Sequence, residues 1–377
     1  MNDTPLSLLM VAPAATPGGQ EDVLFNLASC LPAFGVSLRV IALHDGPLVE
    51  QLRMANIDVD VIEAGRLRQP LAFIRTARAL RSVMMEARFD AVYSNMPKAH
   101  LYATWGARRE RIPTLWCQAG YPEPPHWLDR LATSLPADAI IAVSRDALAA
   151  QVRLSAARTV HLMHPGIDIE RFILRRDPDL RRAYGIPLDV PLVSIVGRLQ
   201  QWKGQREFLR AAALVVRSFP LARFAVVGGA ILGWEGDYPE ELQRLTSRLG
   251  LQDRTIFTGH TDEAARWMAA SDVVVNASEP EPFGLVVVEA MASGCAVVAV
   301  AKGGPRDVIE NDYSGVLCAT REPRELADGI IRLVSDSGLR TRIGRAAHEV
   351  VQSRFTREAM TSRFVDILRC ALRAHSP

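Results

Sequence analysis

Val273-Val-Val-Asn-Ala-Ser-Glu-Pro-Glu-Pro-Phe-Gly-Leu-Val-Val-Val-Glu-Ala-Met-Ala-Ser-Gly-Cys-Ala-Val-Val-Ala-Val300 is the stretch on which the fold turns. It opens with a β-branched run, Val273–Ala277, which reads as a strand. A loop with two prolines and two glutamates follows, and a helical pattern begins near Gly284. From Phe283 to Ala301 the chain is apolar but for Glu289 and Ser293, and it contains Gly284 and Gly294. A membrane-crossing helix needs about 20 consecutive apolar residues and tolerates such interruptions poorly. A helix followed by a buried strand, Ala296–Val300, accounts for the run better. Strand, helix and strand in succession make a parallel α/β unit.

The same alternation extends in both directions. Towards the N-terminus it predicts strands at Leu6–Ala12, Ser37–Leu43, Asp58–Ile62, Ala91–Ser94, Thr114–Cys117, Ala139–Val143 and Thr159–Leu162, with helices such as Gln20–Ala33 and Leu71–Ala87 between them. A Pro/Gly-containing, charged segment from about His164 to Pro191 interrupts the pattern and reads as a connection. A second series follows at Leu192–Val196, Ala222–Val227, Thr255–Thr258, Val273–Ala277, Ala296–Val300 and Gly315–Cys318. The expected fold is therefore α/β, two Rossmann-like domains facing across a cleft. The first spans 1–170 and the second 190–354, and the terminal stretch 355–377 is expected to pack back on the first. Open parallel sheets bind ligands beyond the carboxyl ends of their strands.

Two segments sit at such strand ends and carry chemistry. The backbone N–H groups of Phe283, Gly284 and Leu285 belong to a helix start, where unsatisfied donors and the helix dipole favour an anion. Glu289 lies about one and a half turns into that helix, where a carboxylate can accept both hydroxyls of a ribose, and Glu281 lies just before it. After the strand Leu192–Val196 comes Gly197-Arg198-Leu-Gln-Gln-Trp-Lys203-Gly204. Two cations on a glycine-flexible loop suit the negative charge that develops on a departing nucleoside diphosphate.

The stretch Glu281–Glu289 resembles the Glu-x7-Glu motif of the retaining GT-B glycosyltransferases known as group 1, which include glycogen synthases and phosphatidylinositol mannosyltransferases. The resemblance runs along nearly the whole chain. It implies that Glu281 contacts the transferred sugar, Glu289 the ribose, and Arg198 and Lys203 the diphosphate. It also implies catalysis without a divalent metal or a bound cofactor, the nucleotide sugar being a co-substrate. Gly18 and Gly19 after the first strand are similar to the family's N-terminal glycine loop facing the donor phosphate, although a plain turn explains them equally well. Ser144 and His164–Asp168 are further family-like marks with no catalytic role assigned. One departure concerns a histidine that the family usually carries after the strand Thr114–Cys117. Gln118 stands there; either it substitutes, or His126 on the Pro-rich loop reaches in.

Other features carry less. Asp58 and Asp60 have metal-motif spacing but sit on one side of an alternating strand. Gly228–Gly233 lacks the middle glycine of a dinucleotide fingerprint and lines the nucleotide pocket at most. Five scattered cysteines, Cys30, Cys117, Cys295, Cys318 and Cys370, read as buried free thiols in a reducing compartment. With no basic region before Leu6–Val11, no signal peptide is expected and a cytoplasmic location is. A net charge of +2 gives no sign of a polyelectrolyte partner, and no nucleic acid is expected. Locally, though, Arg66–Arg111 holds ten Lys or Arg against three Asp or Glu, and Arg75, Arg78 and Arg81 recur at three-residue spacing. That face is expected either to be solvated or to rest on anionic membrane near a lipid-linked acceptor. The function expected is metal-independent, retaining hexosyl transfer to a glycan or lipid-linked acceptor in bacterial surface polysaccharide (lipopolysaccharide) synthesis. The alternatives are a nucleotide-sugar 2-epimerase of the same architecture and a non-catalytic nucleotide-sugar-binding protein.

Overall fold

The computed structural model describes residues 5–13, 18–155, 159–172, 177–230 and 236–375. The chain divides into two compact units, one of Met1–Ile167 with Thr356–Pro377 and one of Asp168–Phe355.

The first unit is built on β1 (Leu6–Ala12), β2 (Val36–Ala42), β3 (Asp58–Val61), β4 (Ala91–Asn95), β5 (Thr114–Gln118), β6 (Ala139–Ala142) and β7 (Val160–Leu162). All pairings are parallel, in the order β3-β2-β1-β4-β5-β6-β7. Helices cover both faces, which is why β1 is buried from Leu8 to Ala12 and reads as a continuous apolar run rather than an alternating one. Right-handed crossovers put the helices after β3, β4 and β5 (Pro70–Glu86, Met96–Glu110 and Trp127–Ser134) on one face. They pack side by side in that order. The terminal helix Arg357–His375 lies against Gly19–Cys30, the helix after β1. The two points where the chain leaves and re-enters this unit, Ile167 and Thr356, pair as a parallel bridge. Gly166 permits the approach, since a Cβ there would lie 2.1 Å from the Thr356 oxygen.

The second unit repeats the scheme with β8 (Leu192–Val196), β9 (Arg223–Val227), β10 (Thr255–Gly259), β11 (Val273–Asn276), β12 (Ala296–Val300) and β13 (Val316–Cys318), in the order β10-β9-β8-β11-β12-β13. The stretch that decided the reading forms β11, the helix Leu285–Ala292 and β12, with both strands fully buried. A buried ion pair stands beneath the amino ends of β8 and β11. Arg181 donates to Asp272 at 2.7 Å and to the Ala270 and Val190 carbonyls, and Asp272 also accepts the Leu192 N–H at 2.9 Å. All five guanidinium donors need partners when water is excluded, and this constellation supplies several from the backbone.

Two sequence expectations change in the structure. Arg75, Arg78 and Arg81 do not form one solvent face: Arg75 and Arg78 are exposed, but Arg81 turns to Glu110 at 2.6 Å and lies over the Trp105 ring. At 3.6 residues per turn, each three-residue step drifts by about 60°, so the third arginine lies about 120° around from the first. Cys370 is exposed, whereas the other four cysteines are buried and free. Asp58 and Asp60 lie on one side of β3, both substantially exposed, where Arg39 of β2 engages them and has its guanidinium pKa raised by them. Among the described residues, no helix is long and apolar enough to cross a membrane.

Candidate active site

A doubly wound sheet has one point where successive strands run out in opposite directions, and the loops there part to leave a crevice. In the second unit this point lies between β8 and β11. The loop after β8 carries Arg198 and Lys203; the loop after β11 carries Glu281 and leads into the helix start at Gly284. The topology thus brings together two segments about 80 residues apart in sequence.

Backbone contacts fix the first loop on both sides. Leu199 N–H donates to the Gly229 oxygen at 3.0 Å, and a Cβ on Gly228 would lie 2.2 Å from the Gly197 oxygen. Gly204, at φ +77°, backs onto β11 so closely that a Cβ would meet the Ala277 oxygen at 2.3 Å. Glu279 N–H bonds the Trp202 oxygen at 3.0 Å, and the Gln205 amide bonds the Arg198 oxygen at 2.8 Å. Gly228 and Gly229 therefore support the Arg198 loop; Gly233 lies outside the described residues.

The second loop rests on the turn after β12. Glu281 N–H donates to Lys302 O at 3.3 Å, and Gly304 N–H donates to Glu281 O at 2.9 Å. Side chains on Gly303 or Gly304 would collide with this loop, at 2.0 Å from the Glu281 oxygen and 2.1 Å from the Phe283 oxygen. Phe283 is buried with its ring 5.9 Å from that of Phe355. Gly284, at φ +95°, caps Leu285–Ala292, and its carbonyl accepts the first helical bonds, from Val287 and Val288. The N–H groups of Leu285 and Val286 have no acceptor within the helix. Glu289 is half-buried on the fifth position of that helix.

The two loops also meet through their charged side chains. Lys203 Nζ donates to Glu281 Oε2 at 2.7 Å, with the two side chains only 15% and 8% exposed. Asn276, the last residue of β11, donates to the same oxygen at 3.3 Å. The ammonium also lies over the Trp202 ring, 4.0 Å from its centroid. Arg198 projects to solvent. The pair leaves Lys203 with further N–H donors and leaves Glu281 its Oε1, so each can still engage a ligand. Sequence reasoning missed Asn276 and the Gly303–Gly304 support; the paired glycines after β12 were the available signal for the latter.

In the first unit, Gly18 and Gly19 open the helix Gly19–Cys30 after β1, beside that sheet's own switch point between β1 and β4; Pro17 lies outside the described residues. The first turn already carries Glu21 and Asp22, which occupy the favourable end of the dipole. Gln118 is buried at the end of β5. Its amide nitrogen donates to Asp129 at 2.9 Å and to Gln151 at 3.4 Å, while its oxygen accepts the Gly120 N–H at 3.2 Å. Asp129 also accepts the His126 N–H at 3.0 Å, and the His126 ring caps the helix Trp127–Ser134. Gln118 and His126 are thus two ends of one brace that shapes the loop between them. Ser144 caps the helix Arg145–Leu154, and Asp168 a short 3-10 turn.

Comparison with known proteins agrees in both halves. Residues 176–350 match the family described as glycosyl transferases group 1, and residues 17–171 match glycosyltransferase family 4. The D-inositol 3-phosphate glycosyltransferase of Nocardioides sp. is 34% identical over 223 residues, covering 56% of this chain and 48% of that protein. That of Saccharomonospora viridis is 35% identical over 226 residues, covering 58% and 52%. The chain thus spans about half the length of the curated relatives it matches. Among solved structures, Anabaena Alr3699/HepE in complex with UDP and glucose is similar with a TM-score of 0.84 and 27% identity, covering 97% of this chain and 99% of that one. A glycosyltransferase from Rickettsia africae has a TM-score of 0.85 at 21% identity, covering 98% and 99%, which speaks to fold. With its two Rossmann-like halves and these matches, the chain belongs to the group 1 glycosyl transferases of the GT-B fold.

Proposed function

We propose that the protein transfers a hexosyl group from a nucleoside-diphosphate sugar to a glycan or lipid-linked acceptor, with retention at the anomeric carbon and without a divalent metal. The observation that carries this reading is the Lys203–Glu281 contact, which joins the two loops of the β8/β11 switch point beside an open helix start. In this reading Arg198 and Lys203 hold the diphosphate and stabilise the charge it gains as the sugar bond breaks. Glu281 orients the sugar hydroxyls, the backbone donors at Gly284 and Leu285 take a phosphate oxygen, and Glu289 takes the ribose. The acceptor attacks from the face the diphosphate leaves, and the departing phosphate oxygen receives the acceptor proton, so no separate strong base is needed. The similar Anabaena chain was crystallised with UDP and with UDP-glucose, which makes UDP-glucose the first donor to try. The setting proposed is bacterial surface polysaccharide synthesis.

Thermal-shift screening against UDP-, GDP- and ADP-sugars identifies the donor. Hydrolysis of that donor, with the anomer of the released sugar followed by NMR in the presence of EDTA, tests the chemistry. Wild type should release the retained anomer, and Lys203→Ala should be slower by about 10²–10³-fold. Release of the inverted anomer, or dependence on added metal, refutes the mechanism. Formation of an epimerised free sugar refutes the transfer itself.

A further inference from the structure

A large cavity belongs to the first unit alone and takes no part in the donor site described above. It encloses about 1340 Å³ along the helix Met96–Glu110, between the segment 66–73 and the helix Trp127–Ser134. Its walls are apolar, formed by Leu67, Phe73, Leu101, Trp105, Leu131 and Leu135. Five cations, Arg66, Arg68, Lys98, Arg108 and Arg109, share the lining, and among the described residues no carboxylate does. Trp127 and Leu131 at its edge are 55% and 44% exposed, a large apolar surface for a chain to leave in water.

The lining discriminates among occupants. An extended peptide or a folded partner brings backbone N–H and C=O groups that need hydrogen-bond partners once dehydrated. Among the described residues, Thr104 is the only hydroxyl or amide side chain in the lining, its hydroxyl is already bonded to the His100 carbonyl at 2.6 Å, and the Trp105 and Trp127 indole N–H groups can donate but not accept. A hydrocarbon chain has no such need. The cations, in turn, select an anionic head. Arg66, Arg68 and Lys98 follow the carboxyl ends of β3 and β4, so one mouth of the groove opens at the strand edge that also carries Gly18, Gly19 and the Gln118–His126 loop. Lys98 is half-buried there, and among the described residues it bonds no carboxylate: its contact is His44 Nε2 at 3.2 Å. Burial lowers its pKa, a penalty that an arriving anion would relieve. From Lys98 to Arg109 the helix runs about 16 Å, a length suited to an extended alkyl or prenyl chain rather than to a compact metabolite.

We propose that this groove holds one lipid with a phosphate or diphosphate head, its hydrocarbon chain along Leu101, Trp105 and Leu131 and its head at Lys98, Arg66 and Arg68. Identifying that lipid with the anchor of the sugar acceptor rests on the transferase reading; the binding itself does not.

The test uses the full chain and three probes in calorimetry: decyl phosphate below its micellar concentration, decanol and inorganic phosphate. Decyl phosphate should bind at least about tenfold more tightly than either half alone. Lys98→Gln and Leu131→Asp should each weaken it by about tenfold, and Trp127→Ala, at an exposed position, should do so without disturbing the fold. UDP affinity should stay unchanged in all three variants. Equal binding of decanol and decyl phosphate overturns the proposal, as does indifference to the three substitutions. So does attachment only to anionic vesicles that is abolished by Arg75→Glu/Arg78→Glu, which would mean a surface contact instead. Decyl phosphate binding with no response to any nucleotide sugar would leave the groove standing and sink the transferase reading.

Discussion

Replacing Lys203 by Met keeps the length of the side chain and removes its charge, leaving Glu281 with only the Asn276 amide as a described partner. The two charges stand in contact at 2.7 Å with 15% and 8% side-chain exposure, so their environment is far from bulk water. At an effective dielectric of about 20, unit charges about 3.5 Å apart attract by about 5 kcal/mol, against about 1 kcal/mol in water. Desolvation of both groups offsets much of this, and the pair's net contribution is small compared with the cost of orphaning one member, about 3–5 kcal/mol for a buried pair. Residual access to water and the Asn276 bond reduce that cost here to about 2–3 kcal/mol. Lys203→Met should therefore destabilise the second unit by about 2–3 kcal/mol, while Lys203→Met/Glu281→Gln should recover all but about 1 kcal/mol. Urea unfolding of the full chain, followed by tryptophan emission with Trp202 and Trp267 reporting the second unit, completes the double-mutant cycle. On the proposed function, the double variant should nevertheless bind UDP about tenfold or more weakly than wild type, because that reading makes Lys203 a charged donor to the diphosphate. A coupling under about 0.5 kcal/mol would refute the reasoning. The pair would then be a screened surface contact with no part in holding the two loops together.

Three further outcomes are expected. Arg181→Ala should cost about 3–5 kcal/mol by leaving Asp272 buried without its main partner, measured as the urea midpoint of the second unit; a loss below about 1 kcal/mol would contradict the buried network. In native protein, an aromatic disulfide should label Cys370 rapidly and the other four cysteines only on unfolding, since burial pushes Cys117 up to about 12 and Cys318 up to about 11; early labelling of Cys117, seen by peptide mass, would show an open core. The Arg266 guanidinium holds the Asp177 carboxyl below its ordinary 3.8, so the folded form binds fewer protons there, and the stabilisation is present above that value and lost as pH falls through the lower folded one. Arg266→Gln should thus raise the midpoint of acid unfolding followed by circular dichroism, and an unmoved midpoint would show the pair to be inconsequential.

The strands were legible because parallel sheets covered on both faces leave long β-branched runs, and the helix start at Gly284 announced itself by a glycine between a Pro-rich loop and an apolar run. Arg198, Lys203 and Glu281 could be singled out for the same reason: each stands just beyond a predicted strand. What stayed hidden was pairing across the fold. Nothing local to Gln118 says that Asp129 and Gln151 occupy its amide, and nothing local to Arg181 says that Asp272, 91 residues on, receives it. The apolar groove was hidden in the same way, being assembled from three helical neighbourhoods whose periodicities are each ordinary. Equal steps along the sequence suggested a shared arginine face that the helical pitch then divides.

The loop bearing Glu281 is seated on the turn after β12 by main-chain bonds and by the missing side chains of Gly303 and Gly304. Its position therefore does not depend on which side chains it displays. Partly exposed Glu279, Pro280 and Pro282 can be exchanged, while the main chain at Glu281 stays at the same spot. Change in those side chains is inexpensive; a single methyl group on either glycine is not, and laboratory evolution of this protein should find the first freely and the second never.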